Sequence, residues 1–301
     1  MKIVTHGFQA KQTAVAIGNF DGVHLGHQLL LKELLSHAAL SPVVFTFDRH
    51  PSSVLEDRPM PLITTNEEKC ALLSAHGISL VYMAHSTKEF LQTSAEDFIQ
   101  TYLIEALDVR HVVVGSDCRF GKKGQGTPAL LQEIGAAHGF HVTCLPKLYD
   151  GDIEISSSAV RRLLKEGNVQ KAATLMGHPF RIGGTVIPGR HVGTDLGIPT
   201  INLALPPEKI FPAPGVYETS TQVEGVSYPS ISFVGTSPTY QTHTPLLETH
   251  LLDVHEDFYG KQAVVSFRRF IRPTVQFSSP EALVRQISFD IKSIKEGGIY
   301  G

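Results

Sequence analysis

Ten consecutive residues near the N-terminus, Gly18-Asn-Phe-Asp-Gly-Val-His-Leu-Gly-His27, combine groups that phosphate chemistry needs. Gly18, Gly22 and Gly26 let the backbone approach an anion closely. A helix starting within the string adds free N–H groups and the positive end of its dipole. His24 and His27 flank Gly26, so both rings can face one ligand there. An ordinary turn would also accommodate one of the chain's 15 histidines, but the whole string argues for more. No adjacent cysteine or HExxH frame turns the pair into a zinc site. Further on, Ser156-Ser-Ser158 precedes Arg161. The serines can cap a helix before Ala159, and a capped helix start is also an anion site. The planar fork of Arg161 suits bidentate phosphate binding. Thr200 and Asn202 are two apart, so an extended segment puts them on one face. A short turn at Pro199 with a cross-strand threonine is the alternative reading.

The elements that must position these groups fall into two patterns. From Thr13 to about Pro146, short apolar runs alternate with helical stretches: Ala14–Ile17, Val43–Phe47, Ile78–Met83, His111–Val114 and Phe140–Leu145. Continuous Val/Ile runs separated by helices predict a doubly wound parallel sheet, an α/β domain covered on both faces. Such sheets bind ligands beyond the carboxyl ends of their strands, here after Ile17, Phe47, Val114 and Leu145. A helical section follows from Ser156 to about Met176. From Arg181 to Phe270 the pieces are short, strand-like and separated by Gly and Pro, which predicts a small antiparallel β-barrel. A terminal helix over 280–295, with Ser279 as N-cap, closes the chain. The change near Gly177 predicts domains 1–179 and 180–301.

Composition narrows the class. Of 301 residues 42% are hydrophobic and 18% charged, enough for two cores. A net charge of −3 argues against a nucleic-acid-binding face. No apolar run approaches the roughly 18 residues of a membrane span, and the N-terminal residues are too polar for a signal peptide. Cys70, Cys118 and Cys144 show no CxxC spacing and suggest a reducing compartment. The expectation is a cytoplasmic protein without nucleic-acid or membrane partners; homo-oligomerisation stays open.

The ten-residue string resembles the HxGH signature of nucleotidyltransferases, in the form seen in bacterial bifunctional riboflavin kinase/FMN adenylyltransferases. Further segments match in order. Thr46-Phe-Asp-Arg-His-Pro51 is similar to TFDPHP, Leu62-Ile-Thr-Thr-Asn-Glu-Glu-Lys69 to LTT..EK, Val112–Gly121 to VVVGxDFRFG, and Ile155–Arg161 to ISSTxIR. Leu196-Gly-Ile-Pro-Thr-Ile-Asn202 resembles LGFPTAN, Gly215–Tyr217 the start of GVYA, Phe233–Tyr240 IGTRPTF, and Asp257–Lys261 DLYGK. The resemblance covers essentially the whole chain. It implies a nucleotidyltransferase domain followed by a kinase barrel, with ATP, riboflavin, FMN and FAD as ligands and Mg²⁺ as cofactor.

For the first domain the resemblance implies ATP at Gly18, Asn19, Phe20, Asp21, Gly26, Ser157, Ser158 and Arg161. His24 and His27 would stabilise the reacting phosphates, while Asp117 and Arg119 would meet the flavin. For the barrel it implies Glu248 as catalytic base. Gly189 and Gly193 would form a loop for ATP, with Thr200 and Asn202 on the metal and its phosphates. The sequence also departs from the family pattern. Arg49 replaces a proline and Ser158 a threonine, which keeps the hydroxyl. Ser116 and Cys118 replace aromatic positions that could stack on flavin, His191-Val192 a Gly-Arg pair, and Ser237 an Arg or Asn. These changes leave a second reading: an FMN adenylyltransferase whose barrel binds flavin with impaired kinase activity. A binding module with decayed sites is the non-enzyme alternative, opposed by the intact His24, His27, Arg161, Thr200, Asn202 and Glu248.

Overall fold

The computed structural model describes residues 1–55, 60–188, 197–236, 245–254 and 256–296. By chain contacts it divides into two compact units, Met1–Ser157 and Ser158–Gly301.

The first unit is built on six parallel strands: β1 (Lys2–Val4), β2 (Thr13–Ile17), β3 (Ser41–Phe47), β4 (Leu80–Ala84), β5 (Val109–Gly115) and β6 (His141–Leu145). Their order is β1-β4-β3-β2-β5-β6. All five residues of β2 are buried, as a central strand covered on both faces requires. The period of two then sorts side chains between two cores. Val15, Ile17, Val43, Phe45, Tyr82, Val112 and Val114 face one, where Phe45 stacks on Tyr82 at 4.9 Å. Ala14, Ala16, Val44, Val81 and Val113 face the other, packed on Leu30, Leu31 and Leu34 of α1 (Leu25–Ser36) and on Cys70 and Leu73 of α3 (Asn66–Ala75). Thr65 and Glu68 start α3 with a reciprocal capping box. Between α1 and α3 lies the short α2 (Pro51–Leu55). Three more helices complete the unit: α4 (Lys88–Leu91), α5 (Ala95–Phe98), which runs into a wider-wound turn over Ile99–Ala106, and α6 (Pro128–His138).

The order places neighbours on both sides of β2, with the chain moving outward from it in opposite directions. The carboxyl ends of β2 and β5 therefore flank the switch point where an open α/β sheet forms its crevice. β1 escapes the sequence pattern because three residues, two of them exposed, carry no readable period. The hairpin β7–β8 (Tyr149–Asp150, Ile153–Glu154), turning at Gly151, is likewise too short to read.

The second unit begins along α7 (Ser157–Lys165) and α8 (Val169–Met176). Its closed barrel comprises β9 (Arg181–Ile187), β10 (Ile201–Ala204), β11 (Gly215–Val223), β12 (Val226–Thr236), β13 (Pro245–Leu251) and β14 (Gln262–Arg272). They pair antiparallel in the order β10-β13-β12-β11-β14-β9, a closure that removes free sheet edges. A buried chain of hydroxyls crosses three strands: Thr221, Ser230, Thr219, Ser232 and Thr249 are joined in that order by hydrogen bonds of 2.8 Å. The terminal helix α9 (Pro280–Glu296) brings Ile291 and Ile294 to Val216, Ile231 and Leu252. Ser279 caps it at the Ala282 amide, and Arg272 reaches the buried Asp290 at 2.8 Å. No helix among the described residues is long and apolar enough to cross a membrane, and all three cysteines are free thiols.

The helical section sits with the barrel in this contact division. The Leu164 carbonyl accepts from the Ala213 amide at 2.9 Å, and α8 packs along β14. At Gly167, φ is +77°, and a Cβ there would lie 3.4 Å from Ala213, Phe270 and the Tyr217 hydroxyl. A fragment of residues 158–301 is therefore expected to unfold cooperatively at a higher Tm than one of residues 180–301, which exposes the apolar bed of α7 and α8. Thermal unfolding of both by circular dichroism checks this; equal Tm values would deny the helices a part in barrel stability.

Candidate active site

The Gly18–His27 turn leaves β2 at the switch point and bends sharply. Phe20, Gly22 and Val23 have φ of 51°, 80° and 37°, in the left-handed region that disfavours the two non-glycine residues. Two anchors hold it. Phe20 is wholly buried behind the turn. The buried Asp21 carboxylate accepts from the Ile63 amide at 3.2 Å, the Thr64 amide at 2.9 Å and the Thr64 hydroxyl at 3.1 Å. Both side chains face inward, one for apolar burial and one to satisfy buried donors, so they shape the turn.

The histidines sit where the turn becomes α1. His24 is the N-cap, and its Nδ1 accepts from the His27 amide at 3.3 Å, so the neutral ring carries its proton on Nε2. The His24 and His27 rings stack at 3.7 Å. Gly26 permits this, because a Cβ there would stand 3.1 Å from the His24 ring. Burial, with help from His24 and Lys69, holds the His27 pKa well below 6.5. His27 thus works near neutral pH as an uncharged imidazole, and its buried Nδ1 has no hydrogen-bond partner among the described residues. Ser157 ties the start of α7 to the turn, its hydroxyl donating to the Asp21 carbonyl at 2.8 Å. Ser158 and Arg161 continue that helix within the second unit.

Lys69, absent from the expected site residues although it ends the LTT..EK segment, lies beneath the turn. It is 5% exposed, and its ammonium donates to the Phe47 carbonyl at 2.9 Å, the Thr46 hydroxyl at 3.4 Å and the Asn19 carbonyl at 3.5 Å. Asn19 approaches the ring of His50, whose Nδ1 meets the Ser52 hydroxyl at 2.6 Å.

Between the carboxyl ends of β2, β5 and β6 opens a cleft of about 500 Å³ lined by Gly18, His24, Gly26 and His27. Asp117 and Arg119 line it too, along with Ser116 and Cys118. Lys147, a second residue not foreseen, bridges Asp117 at 3.4 Å and Glu154 at 2.8 Å. Aromatic surface is also present: Phe47, Phe90 and Phe98 line the cleft from other segments, and Phe120 lines it from the segment that carries Ser116 and Cys118.

In the barrel, Asn202 of β10 lies directly opposite Glu248 of β13, and Glu248 opposite Phe233 of β12. Directly paired residues share a sheet face, so the amide, the carboxylate and the aromatic ring are neighbours. Asn202 is 9% exposed, and Thr200 immediately precedes β10. The neighbouring Thr249 points the other way, into the buried hydroxyl chain. Gly189, Arg190, His191, Val192, Gly193 and Ser237 lie outside the described residues.

A nucleotide-sized cleft at the switch point of a doubly wound sheet, with a stacked HxGH pair at a helix start, defines a nucleotidyltransferase-type domain, here joined to a closed six-stranded barrel. Comparison with known proteins resolves both halves: residues 8–159 match the FAD synthetase family and residues 176–297 the riboflavin kinase family. The chain belongs to the bifunctional riboflavin kinase/FMN adenylyltransferases. It is 34% identical to such a protein of Listeria monocytogenes over 92% of this chain and 89% of the relative. It is 35% identical to those of Escherichia coli K12 and Bacillus subtilis, in each case over 94% of this chain and 91% of the relative. A crystal structure described as a macrolide-efflux protein from Streptococcus pneumoniae superposes with a TM-score of 0.89 at 28% identity, covering 97% of this chain and 98% of that one. Both enzymatic halves are present, and the barrel's match disfavours the reading with an impaired kinase.

Burial lowers the Lys69 pKa from 10.5 to about 8, against the pull of Asp21, Cys70 and Asp48. Between those values the unfolded chain binds more protons at this residue than the folded one, so its contribution to stability grows as pH rises. Urea denaturation between pH 8 and pH 10 is expected to show this growth in the wild type relative to Lys69→Met. Parallel pH dependence in the two proteins would refute it.

Proposed function

We infer that the first unit transfers the adenylyl group of ATP to FMN and that the second phosphorylates riboflavin. The observation that carries the first reading is the stacked, partly buried His24–His27 pair opening onto the cleft at the switch point. An oxygen of the FMN phosphate attacks the α-phosphorus of ATP, and the bond to the bridging oxygen breaks as pyrophosphate leaves. No covalent enzyme intermediate is required. Catalysis rests on positioning and on donors fixed where charge develops on the phosphoryl oxygens. His27, held neutral, contributes through a hydrogen bond rather than a full charge. Arg119 and Lys147, both lining the cleft, supply positive charge towards the phosphates, and Ser157 is assigned to the departing pyrophosphate. Phe47 and Phe90 offer the isoalloxazine the apolar surface that Ser116 and Cys118 lack.

For the kinase, the pairing of Asn202 with Glu248 supports a shared phosphate-transfer site. Glu248 accepts the proton of the riboflavin 5′-hydroxyl as that oxygen attacks the γ-phosphorus, and ADP leaves. Mg²⁺ takes oxygen ligands, and the Asn202 amide oxygen and the Thr200 hydroxyl are donors of that kind. Thr200 and Asn202 would hold the ion there, where it neutralises phosphate charge.

Incubation with ATP and Mg²⁺, first with riboflavin and then with FMN, followed by separation of the flavins, tests both reactions. His27→Ala is expected to slow FAD formation by about 10²–10³ while riboflavin phosphorylation persists, the usual cost of losing one fixed donor. Glu248→Gln is expected to slow FMN formation by about 10²–10⁴ while supplied FMN still becomes FAD. Should either variant keep its own reaction within a few-fold of wild type, that residue's assignment fails. A wild type that makes FAD from FMN but no FMN from riboflavin would restore the monofunctional reading.

A further inference from the structure

At the opposite end of the first sheet, Glu33, His37 and His111 each direct one ligand atom into a common space, all within 4.8 Å of one another. Glu33 and His37 stand one turn apart at the end of α1, and His111 lies near the start of β5. We propose that these three residues form a binding site for a divalent transition-metal ion of the zinc class.

Four observations support this site. The His37 Nε2 is buried, lies 3.5 Å from a Glu33 carboxylate oxygen and makes no hydrogen bond among the described residues. His111 is prepared as a ligand by a relay: its Nε2 lies 2.8 Å from the Thr143 hydroxyl, which donates to Glu33 Oε1 at 3.5 Å. The hydroxyl thereby links the His111 ring to Glu33 and fixes where that ring stands. Hydrogen bonds from surrounding residues orient metal-binding histidines in this way. The His37 and His111 rings stack at 3.8 Å, which sets the two imidazoles side by side at the end of α1. Finally, the last carbonyls of α1 give this end the negative side of a helix dipole. Bonds of about 2.0–2.2 Å in a tetrahedral zinc site put ligand atoms roughly 3.3 Å apart, so the ion would draw His37 out of the stack towards Glu33. His141, paired with His111 in register and 6.3 Å away ring to ring, stands beside the site as a further donor. A bound ion would cross-link α1 to β5.

The test is titration of the full chain, freed of metal, with Zn²⁺ against a chromophoric chelator, and with Co²⁺ by its visible spectrum. The expected result is one tight Zn²⁺ per chain, a Co²⁺ band of low-coordinate type, and a Tm raised by zinc. His111→Gln and Glu33→Gln should each weaken binding at least tenfold, while His27→Ala, which removes the competing histidine pair, should leave it unchanged. Thr143→Val should weaken it about 10–100-fold through the lost relay. Circular dichroism confirms that the variants are folded, and Glu33→Gln is the conservative arm if His111→Gln is not. Absence of Zn²⁺ binding by the wild type at micromolar concentration would overturn the proposal. So would retention of wild-type affinity by a folded His111→Gln or Glu33→Gln, or loss of binding in His27→Ala.

Discussion

The first site depends on the buried Asp21 carboxylate holding the Gly18–His27 turn against the Ile63–Thr64 segment. Left-handed backbone at Phe20 and Val23 costs on the order of 1–3 kcal/mol each, so the turn needs a partner strong enough to keep it bent. Hydrogen bonds to a charged acceptor contribute about 1.5–3 kcal/mol apiece, and Asp21 makes three. The Lys69 ammonium works from below on the Asn19 carbonyl and on the end of β3. With the turn fixed, α1 starts at His24, Gly26 leaves room for the stack, and both imidazoles meet the cleft together. If the carboxylate were lost, the bent turn, the helix start and the histidine pair would lose their common support.

Alongside ion pairs to buried carboxylates such as Arg272–Asp290 in the second unit, the two units satisfy buried polar groups in distinct ways. In the first, single charges lie under the catalytic turn and are satisfied mainly by backbone groups, as at Asp21 and Lys69. That arrangement is rigid and directional, as a phosphate site requires. In the second, neutral hydroxyls are linked inside the barrel, while Asn202, Phe233 and Glu248 share the other face of its wall. The wall thus separates a self-satisfied interior from a chemical exterior, and alternation along β13 assigns Glu248 to one and Thr249 to the other.

How much of this could be read in the sequence varies with how locally the information is held. The His24–His27 pair, its glycine and the strand before it are contiguous, so their placement was legible. The parallel order was legible as a class, because runs such as Val112–Val114 suit only a strand covered on both faces. Asn202 and Glu248 were recognisable as types, but their adjacency depends on the register of two strands joined through the barrel. The inward placement of the Phe20 and Asp21 side chains was hidden, because a motif marks positions and not side-chain directions. Lys69 and Lys147 were hidden because a lysine in sequence reads as surface until its burial or its carboxylate partners are known. Glu33, His37 and His111 come together only through the packing of α1 on β5.

The hydroxyl chain inside the barrel has a consequence for how the sequence can drift. Each interior link from Ser230 to Ser232 donates to one neighbour and accepts from another, so the chain has two opposite proton orderings and no built-in preference between them. Replacing Thr219 by Val would preserve its shape yet take one hydrogen bond from Ser230 and one from Ser232, each of which keeps its other partner, at a cost of up to about 1–3 kcal/mol per buried hydroxyl. Replacing several links together by apolar residues of matched volume avoids that cost. The five positions are therefore tied in inheritance as one character: intermediates with a single hydroxyl missing form a valley between an all-hydroxyl and an all-apolar interior.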